Sequence, residues 1–335
     1  MTPALKFDAL TLVIAVVALF AVLQLHLLPA FLAGLLVYEL VHALAGRLRR
    51  LGTVRSTGKV AALTIVLVLI VVLISLVAAG LYGLLSSKSE NLVALLQKMA
   101  DALDVASAQL PAWLKDSLPS TADELNVAAS AWLRAHARML QVAGEGFLRA
   151  LFHIIAGIVI GGLAALGEMV PRRDDRPLIH AMAERVFYLR NAFRRVVFAQ
   201  IRISALNTLL TGLYLTVVLP ALGITLPLTK TMIVVTFVAG LLPIVGNLIS
   251  NSIIVIVSLS VSLSTAIGSL LFLISIHKLE YFVNARIIGS QIRARAWELL
   301  LAMLVMESAF GIPGVISAPI YYAYVKDELA ARRLI

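Results

Sequence analysis

Long apolar runs dominate the chain, and polar segments interrupt them only briefly. A membrane-spanning helix needs about 20 apolar residues, because the hydrocarbon core is about 30 Å thick and a helix rises about 1.5 Å per residue. Six runs reach this length, at about 9–27, 30–46, 60–85, 147–170, 203–220 and 264–282. The pattern therefore predicts six helices that cross a membrane completely.

Two further apolar runs, at about 231–259 and 298–325, carry proline and glycine near the middle. The breaking residues are Pro243 and Gly246 in the first run, and Gly311, Pro313, Gly314 and Pro319 in the second. Proline removes a backbone donor and clashes with the preceding helical turn. At membrane depth such a break needs protein or water to satisfy the freed groups. Each run is thus either a kinked span or a re-entrant hairpin that turns back at its Pro-Gly tip.

The distribution of charge favours the hairpins. Lys and Arg mark cytoplasmic loops, and they dominate 46–59 and 171–202, whereas 86–146 has five basic and seven acidic residues. The segment 277–297 carries four basic residues and Glu280. It lies outside if both broken runs cross the membrane fully, whereas two hairpins place both this segment and the basic tail with Lys326, Arg332 and Arg333 inside. We therefore prefer two hairpins, with both termini cytoplasmic. The fold class expected is all-α and polytopic, with six full spans and two re-entrant hairpins.

Composition excludes a soluble protein. Of 335 residues, 61% are hydrophobic and 14% charged, and the mean hydropathy is +0.99. A soluble domain has about 25% charged residues. The net charge of +10 fits cytoplasmic loops, so it gives no reason to expect nucleic-acid binding. The absence of cysteine excludes disulfides and thiolate metal sites. The six histidines show no metal-ligand spacing, and no phosphate loop or nucleophile motif occurs. We therefore expect that the protein binds no cofactor or metal and is not an enzyme.

Two segments outside the spans are amphipathic. Residues 86–146 predict a small extracytoplasmic helical insert that packs between subunits, with gating or ligand capture as the alternative. Residues 174–198 carry arginines on one face and are expected to anchor in the headgroup region of the cytoplasmic leaflet. The chain thus divides into 1–85, with three spans, and 86–146, the insert. Next come 147–202, with the fourth span and the basic helix, and 203–335, the transport region.

Carboxylates are rare in the apolar segments, where they are costly and by default suggest function. The four are Glu39, Glu168, Glu298 and Glu307. Glu307 lies 12 residues beyond Arg295, about 18 Å along a helix, and therefore near mid-membrane. Glu307 is our first candidate for proton or cation coupling. Its alternative role is structural, as an acid bonded to a backbone amide at the break.

Amide side chains form a second group of candidates. Asn247 and Asn251 are four residues apart, on one helical face just past Pro243, and could bind a polar substrate or Na⁺. The alternative is hydrogen bonding between helices. Asn207, Thr208 and Thr211 form a weaker polar patch in the fifth span. Gly157 and Gly161 form a G-x-x-x-G pattern, which indicates close packing of helices.

One set of residues is similar to a known family. The set is Pro243, Gly246, Glu280, Asn284, Ile287, Gly289, Gly311, Gly314 and Pro319. With this order, the chain resembles the autoinducer-2 exporter family over nearly its whole length. It departs from the family pattern at Ala285, where proline is frequent. The match favours a functional role for Glu280 and Asn284 over a surface salt bridge of Glu280 with Lys278 or Arg286.

The resemblance implies an inner-membrane transporter that forms homo-oligomers. Some relatives are described as exporters of a small sugar-derived signal, and others as Na⁺(Li⁺)/H⁺ antiporters. We therefore expect a secondary transporter that exports a small polar metabolite by alternating access. Cation/proton exchange is the first alternative, and a non-transporting scaffold that works through 86–146 is the second. The expected partners are a small polar solute or a monovalent cation and proton, membrane lipid, and further copies of the chain.

Overall fold

The computed structural model describes residues 3–50, 55–86, 127, 131, 134–135, 137–167, 177–242, 245–292 and 295–334. Within this part of the chain the regular structure is entirely helical. The helices are α1 Pro3–Gln24, α2 Leu28–Arg50, α3 Arg55–Ser86, α4 Ala137–Leu166, α5 Pro177–Leu213, a π-helical segment Tyr214–Val218, α6 Leu219–Ala221, α7 Thr229–Gly240, α8 Val245–Leu259, α9 Leu263–Ile292, α10 Ala296–Phe310 and α11 Ile312–Ala331.

In the described part of the chain, five apolar helices are long enough to cross a membrane. They are Phe7–Gln24, Leu28–Arg50, Thr57–Ser75, Gly144–Leu166 and Pro177–Ala221. The sixth predicted span, 264–282, falls in α9, whose apolar part Leu263–Ile276 is shorter. The prediction of an all-α polytopic membrane protein is confirmed. Most of the predicted insert lies outside the described residues. Its last ten residues, from Ala137, belong to α4, the helix that continues into the fourth span.

The basic segment and the fifth span are one continuous helix, α5, rather than two elements. The sequence shows why, because neither glycine nor proline occurs between Leu178 and Thr211. Without a helix-breaking residue, the helix continues from the part that carries arginines into the apolar part. The chain forms two compact units, and α5 belongs partly to each, with the boundary between Phe198 and Ala199.

The first unit contains Met1–Leu73, Gly144–Phe198 and Ile288–Ile335. Its helices α2 and α4 approach closely, since a Cβ at Gly157 would collide with the carbonyl oxygen of Ala30. A Cβ at Gly161 would likewise collide with the carbonyl oxygen of Gly34. The prediction that G-x-x-x-G packs helices together is therefore confirmed.

Arginines of α5 form ion pairs inside the first unit. Arg185 pairs with Glu328 of α11 and with Asp8 of α1. The same helix contributes two more pairs, Arg190 with Glu39 of α2 and Arg195 with Asp327 of α11. The interpretation of 174–198 as a headgroup anchor therefore does not describe these three arginines. Their side chains join α5 to neighbouring helices, because each finds a carboxylate within the protein.

The second unit contains Ile74–Ala143 and Ala199–Ile287. Its core gathers apolar side chains from the π-helical segment, α7, α8 and α9, including Leu215, Met232, Ile254 and Leu273. Tyr214 belongs to this core and stacks on Phe272, with ring centroids 3.7 Å apart. This unit holds the first of the two broken runs.

Both broken runs fold back on themselves. In the first, a Cβ at Gly246 of α8 would collide with the carbonyl oxygen of Ala239 in α7. In the second, a Cβ at Gly314 of α11 would collide with the carbonyl oxygen of Met306 in α10. Residues seven or eight apart in a continuous helix are separated by roughly 10–12 Å along its axis. Each run is therefore a pair of packed helices and not a kinked span.

Candidate functional site

The break between α7 and α8 leaves backbone carbonyls that α5 satisfies. The last four carbonyls of a helix lack partners within it, and α7 ends at Gly240. Gln200 Nε2 donates to the carbonyl oxygen of Gly240 at 2.7 Å, and Ser204 Oγ donates to that of Phe237 at 2.7 Å. Side chains of one helix thereby replace the hydrogen bonds that the break removes. Pro243 itself lies outside the described residues.

Two asparagines meet where α8 begins. Asn207 Nδ2 of α5 donates to Asn247 Oδ1 of α8 at 3.1 Å, and Asn207 is almost completely buried. Asn251 lies one turn further along α8 and is half-buried. Because an amide both donates and accepts, a buried pair of amides can exchange its mutual hydrogen bond for bonds to a polar solute.

The structure brings together residues that the sequence assigns to separate groups of candidates. The sequence predicts Asn247 as a site residue together with Asn251, whereas it assigns Asn207 to a weaker patch in the fifth span. Gln200 and Ser204 were not predicted as site residues. The signal that could have found them is their spacing, because 200, 204 and 207 are polar positions on one helical face.

Gly246 allows this arrangement because it has no side chain. The carbonyl oxygen of Ala239 occupies the position that a Cβ would need. The close approach of α7 and α8 brings the beginning of α8 beside the end of α7. Gly246 is therefore a packing residue in the described contacts, while Asn247 presents the polar group.

The second hairpin, in the first unit, turns at Gly311. This residue has φ 64° and ψ −145°, a conformation that glycine adopts without a Cβ penalty. The Gly311 N–H donates to the carbonyl oxygen of Glu307 at 2.7 Å. Pro313 lies in the first turn of α11, where a missing donor costs little, and Pro319 lies inside the helix. Gly314 makes the close contact with α10 described above.

Glu307 is exposed in the single chain, on the face of α10 that also exposes Leu300 and Leu304. The structure describes no side-chain hydrogen bond or ion pair for it. Its coupling role stays a prediction from sequence.

Glu298, at the start of α10, has specific partners. Its Oε2 accepts from Lys326 Nζ at 2.9 Å and from the Arg295 backbone N–H at 3.2 Å, and Tyr322 also donates to it. Arg295 thus contributes its backbone, and the cation comes from α11. These contacts of Glu298 join the start of α10 to the C-terminal half of α11.

Besides Pro243, the side chains of three predicted residues lie outside the described part of the chain. Glu280 and Asn284 belong to α9, but their side chains lie outside the described residues, as does Glu168. Among the described residues, no group of three or more His, Asp or Glu side chains could hold a metal ion.

The family can be stated at this point. Residues 10–333 match the sequence model of the AI-2E family transporter. The chain belongs to this family. Comparisons with curated proteins and with solved structures gave no match.

Membership of the AI-2E transporters gives the amide site a context. The members of this family are membrane transporters, and the described helices are those of a polytopic membrane protein. In this AI-2E family member, Asn207 and Asn247 are amide side chains paired at a helix break.

Proposed function

We propose that this AI-2E family member is a secondary transporter of the bacterial inner membrane that exports a small polar metabolite or signal. The observation that carries the proposal is the pairing of Asn207 with Asn247 at the break between α7 and α8. Family membership specifies neither where the solute binds nor the direction of transport, and the proposal supplies both.

The proposed binding site rests on the physics of broken helices. Discontinuous helices near mid-membrane are the best pointer to a transporter's substrate site. Here the freed carbonyls of Phe237 and Gly240 already have donors from α5. The break is therefore stable without a ligand, and the amides of Asn207 and Asn247 supply the contacts that a solute would take. Both hairpins would re-enter the membrane, the first from outside and the second from the cytoplasm.

Alternating access would then consist of moving the first hairpin while its polar contacts exchange partners. Hydrogen bonds between polar side chains in membranes contribute on average about 0.6 kcal/mol, so exchanging one costs little. Gly246 packs backbone against backbone, which favours movement of α7 and α8 as one body. The hairpin would expose Asn247 to one side of the membrane at a time.

Cation/proton exchange is the alternative. An ionised carboxylate facing lipid costs about 2.5–3.5 kcal/mol, and Glu307 is exposed among leucines of α10. Water or a second copy of the chain would remove that cost. The expected homo-oligomer would provide such a cover, and coupling through Glu307 would then depend on assembly.

The test compares metabolites inside and outside cells that express the chain with those of cells that do not. Export predicts that at least one small polar metabolite is depleted inside and enriched outside. Asn247→Leu should abolish the change. Thr216→Val is a matched control, because the Thr216 hydroxyl donates to the carbonyl oxygen of Gly212 in its own helix. Full export by Asn247→Leu would contradict the site.

The alternatives give different results in the same cells. If Na⁺ or Li⁺ dissipates a pH gradient in everted vesicles and Glu307→Gln stops this, the protein is an antiporter. If deletion of 86–146 abolishes function while Asn247→Leu does nothing, it is a scaffold. An absence of any exported metabolite would contradict the proposed transport.

A further inference from the structure

A polar stripe extends from the amide site along one face of α5 and into the π-helical segment. Its members, at successive steps of four and three residues, are Gln200, Ser204, Asn207, Thr211 and Tyr214. Such steps place side chains on one helical face. From Gln200 to Tyr214 the stripe extends roughly 21 Å along the helix, out of a hydrocarbon thickness of about 30 Å.

The stripe faces the inside of the second unit. Ser204, Asn207, Thr211 and Tyr214 are all buried. The opposite face of the same helix is apolar and exposed, since Leu209 and Leu213 are 68% and 52% exposed. From Ser204 to Leu213, helix α5 is therefore polar inside and apolar outside, which is the reverse of a helix on a soluble protein. In a membrane, polar side chains that face a bundle interior hydrogen-bond helices together or line solute pathways.

Partners from three other helices line the stripe. Beyond the contacts of Gln200, Ser204 and Asn207, the Tyr214 hydroxyl lies 3.0 Å from Ser269 Oγ of α9. Ser269 Oγ lies 2.8 Å from Ser258 Oγ of α8. The stripe thus ends in a buried chain of three hydroxyls. None of the side chains named in the stripe or among its partners carries a formal charge.

Thr211 is the exception among these contacts. It has 0% exposure, and its hydroxyl has no hydrogen-bond partner among the described residues. Threonine in a helix usually bonds back to its own backbone, and Thr208, Thr216 and Thr236 all do so. A buried hydroxyl without a partner is destabilising, because its hydrogen bond to water is lost and not replaced. Thr211 lies between Asn207 and Tyr214, where a molecule in the stripe would supply the missing bond.

We propose that this stripe is the permeation track of the protein and that Thr211 binds the passing solute within it. The track takes a small uncharged molecule that both donates and accepts hydrogen bonds, because amides and hydroxyls line it and a net charge would lack a counter-charge. The proposal deepens the proposed function and rests on it for the direction of transport. It adds a residue, a route and a class of solute.

The test uses cysteine chemistry, since the natural chain has no cysteine. Full-length Thr211→Cys is purified, reconstituted and treated with 2-hydroxyethyl methanethiosulfonate, an uncharged reagent that carries a hydroxyl. The thiolate attacks the reagent's sulfenyl sulfur, forms a mixed disulfide and releases methanesulfinate. Thiolates form in water and are suppressed in apolar surroundings. Mass spectrometry of the intact protein gives the rate of modification.

Two matched controls separate a track from lipid and from the dry core. Thr208→Cys changes the same residue type at a position whose hydroxyl bonds within its own helix. Leu215→Cys lies beside Tyr214 in the apolar core. We expect Thr211→Cys to react at least about tenfold faster than either control, because only its thiol is hydrated. A rate no faster than that of Thr208→Cys or Leu215→Cys would overturn the track.

Charged reagents test the class of solute. The sulfonate and trimethylammonium analogues should modify Thr211→Cys more slowly than the hydroxyethyl reagent. Faster modification by the trimethylammonium analogue would assign the track to cations and overturn the uncharged solute. If Thr211→Cys does not purify as a monodisperse protein, Asn207→Cys takes its place with the same expectation.

Labelling and export report on different claims. A hydrated Thr211→Cys in a protein that exports nothing would keep the track and overturn the exporter. Export that depends on Asn247 without labelling at Thr211 would keep the exporter and overturn the track.

Discussion

A single hydrogen bond between Asn207 and Asn247 carries the proposed site, and we expect it to matter more for transport than for stability. Their 3.1 Å contact joins α5 to the start of α8. Pairs of this kind in membranes contribute on average about 0.6 kcal/mol and at most about 1.7. A site that must exchange its partners with a solute requires such a weak contact.

A double-mutant cycle with Asn207→Leu and Asn247→Leu measures this balance. We expect a coupling energy of about 0.5–1.5 kcal/mol in thermal or denaturant unfolding, while each single variant loses export completely. A merely structural pair would lose activity only in proportion to stability. Wild-type export by either single variant would remove the pair from the mechanism.

For single residues, the sequence predicts which side chains belong to the site better than it predicts their hydrogen-bond partners. The position of Asn247 beyond Pro243 identified it as a candidate. The importance of Asn207 could not be seen, because its contact crosses 40 residues of sequence. For Glu307, the distance from Arg295 along the helix could be predicted, but the exposure of its side chain could not.

The elements are held by backbone contacts that only glycine permits. Gly246 and Gly314 each occupy the start of the second helix in a hairpin, against a carbonyl oxygen of the first. A backbone carbonyl cannot rotate away as a side chain can. The two hairpins thus use the same device in separate units.

Gly246→Ala and Gly314→Ala should each destabilise the protein. Overpacking usually costs about 1–3 kcal/mol, and the rigid neighbour favours the upper half of that range. The matched control is Gly268→Ala in α9, where no atom lies within 4 Å of the added Cβ. That change should be neutral or should stabilise by roughly 0.5–1 kcal/mol. Melting temperatures in detergent give the comparison, and equal melting of all three variants would contradict the hairpin contacts.

The basic helix provides a second prediction about elements. Arg185 is 5% exposed and Glu328 is 3% exposed. Arg185→Gln would leave a carboxylate buried with less compensation, which costs about 3–5 kcal/mol for a fully broken pair. Arg49→Gln is the control, because Arg49 is exposed, and it should melt like the natural protein. Addition of Glu328→Gln to Arg185→Gln should recover part of the loss.

Retention of full thermal stability by Arg185→Gln would contradict a buried ion pair between α5 and α11. The charge pattern alone could not settle this point. A row of arginines on an amphipathic helix fits a lipid surface and a set of protein carboxylates equally well. Asp8, Glu39 and Asp327 lie far from α5 in sequence, so the choice required the tertiary structure.

For the whole molecule, we propose that both broken runs turn back within the membrane. Five of the six spans that hydropathy predicts are long apolar helices in the described part of the chain, because the bilayer requires about 20 apolar residues for each. The hairpins required a second argument, from the charges of 277–297. The described contacts of Gly246 and Gly314 show folded-back helices, and their placement in the bilayer determines the orientation of every later segment.

Cysteine labelling in intact cells tests most directly whether the first broken run turns back within the membrane. Single variants Val261→Cys and Ser290→Cys are treated with a membrane-impermeant maleimide before and after lysis, with Arg49→Cys as a cytoplasmic control. Two hairpins predict that Val261→Cys reacts from outside and that Ser290→Cys and Arg49→Cys react only after lysis. Reaction of Ser290→Cys in intact cells would show that the first run crosses the membrane completely, and it would contradict the account.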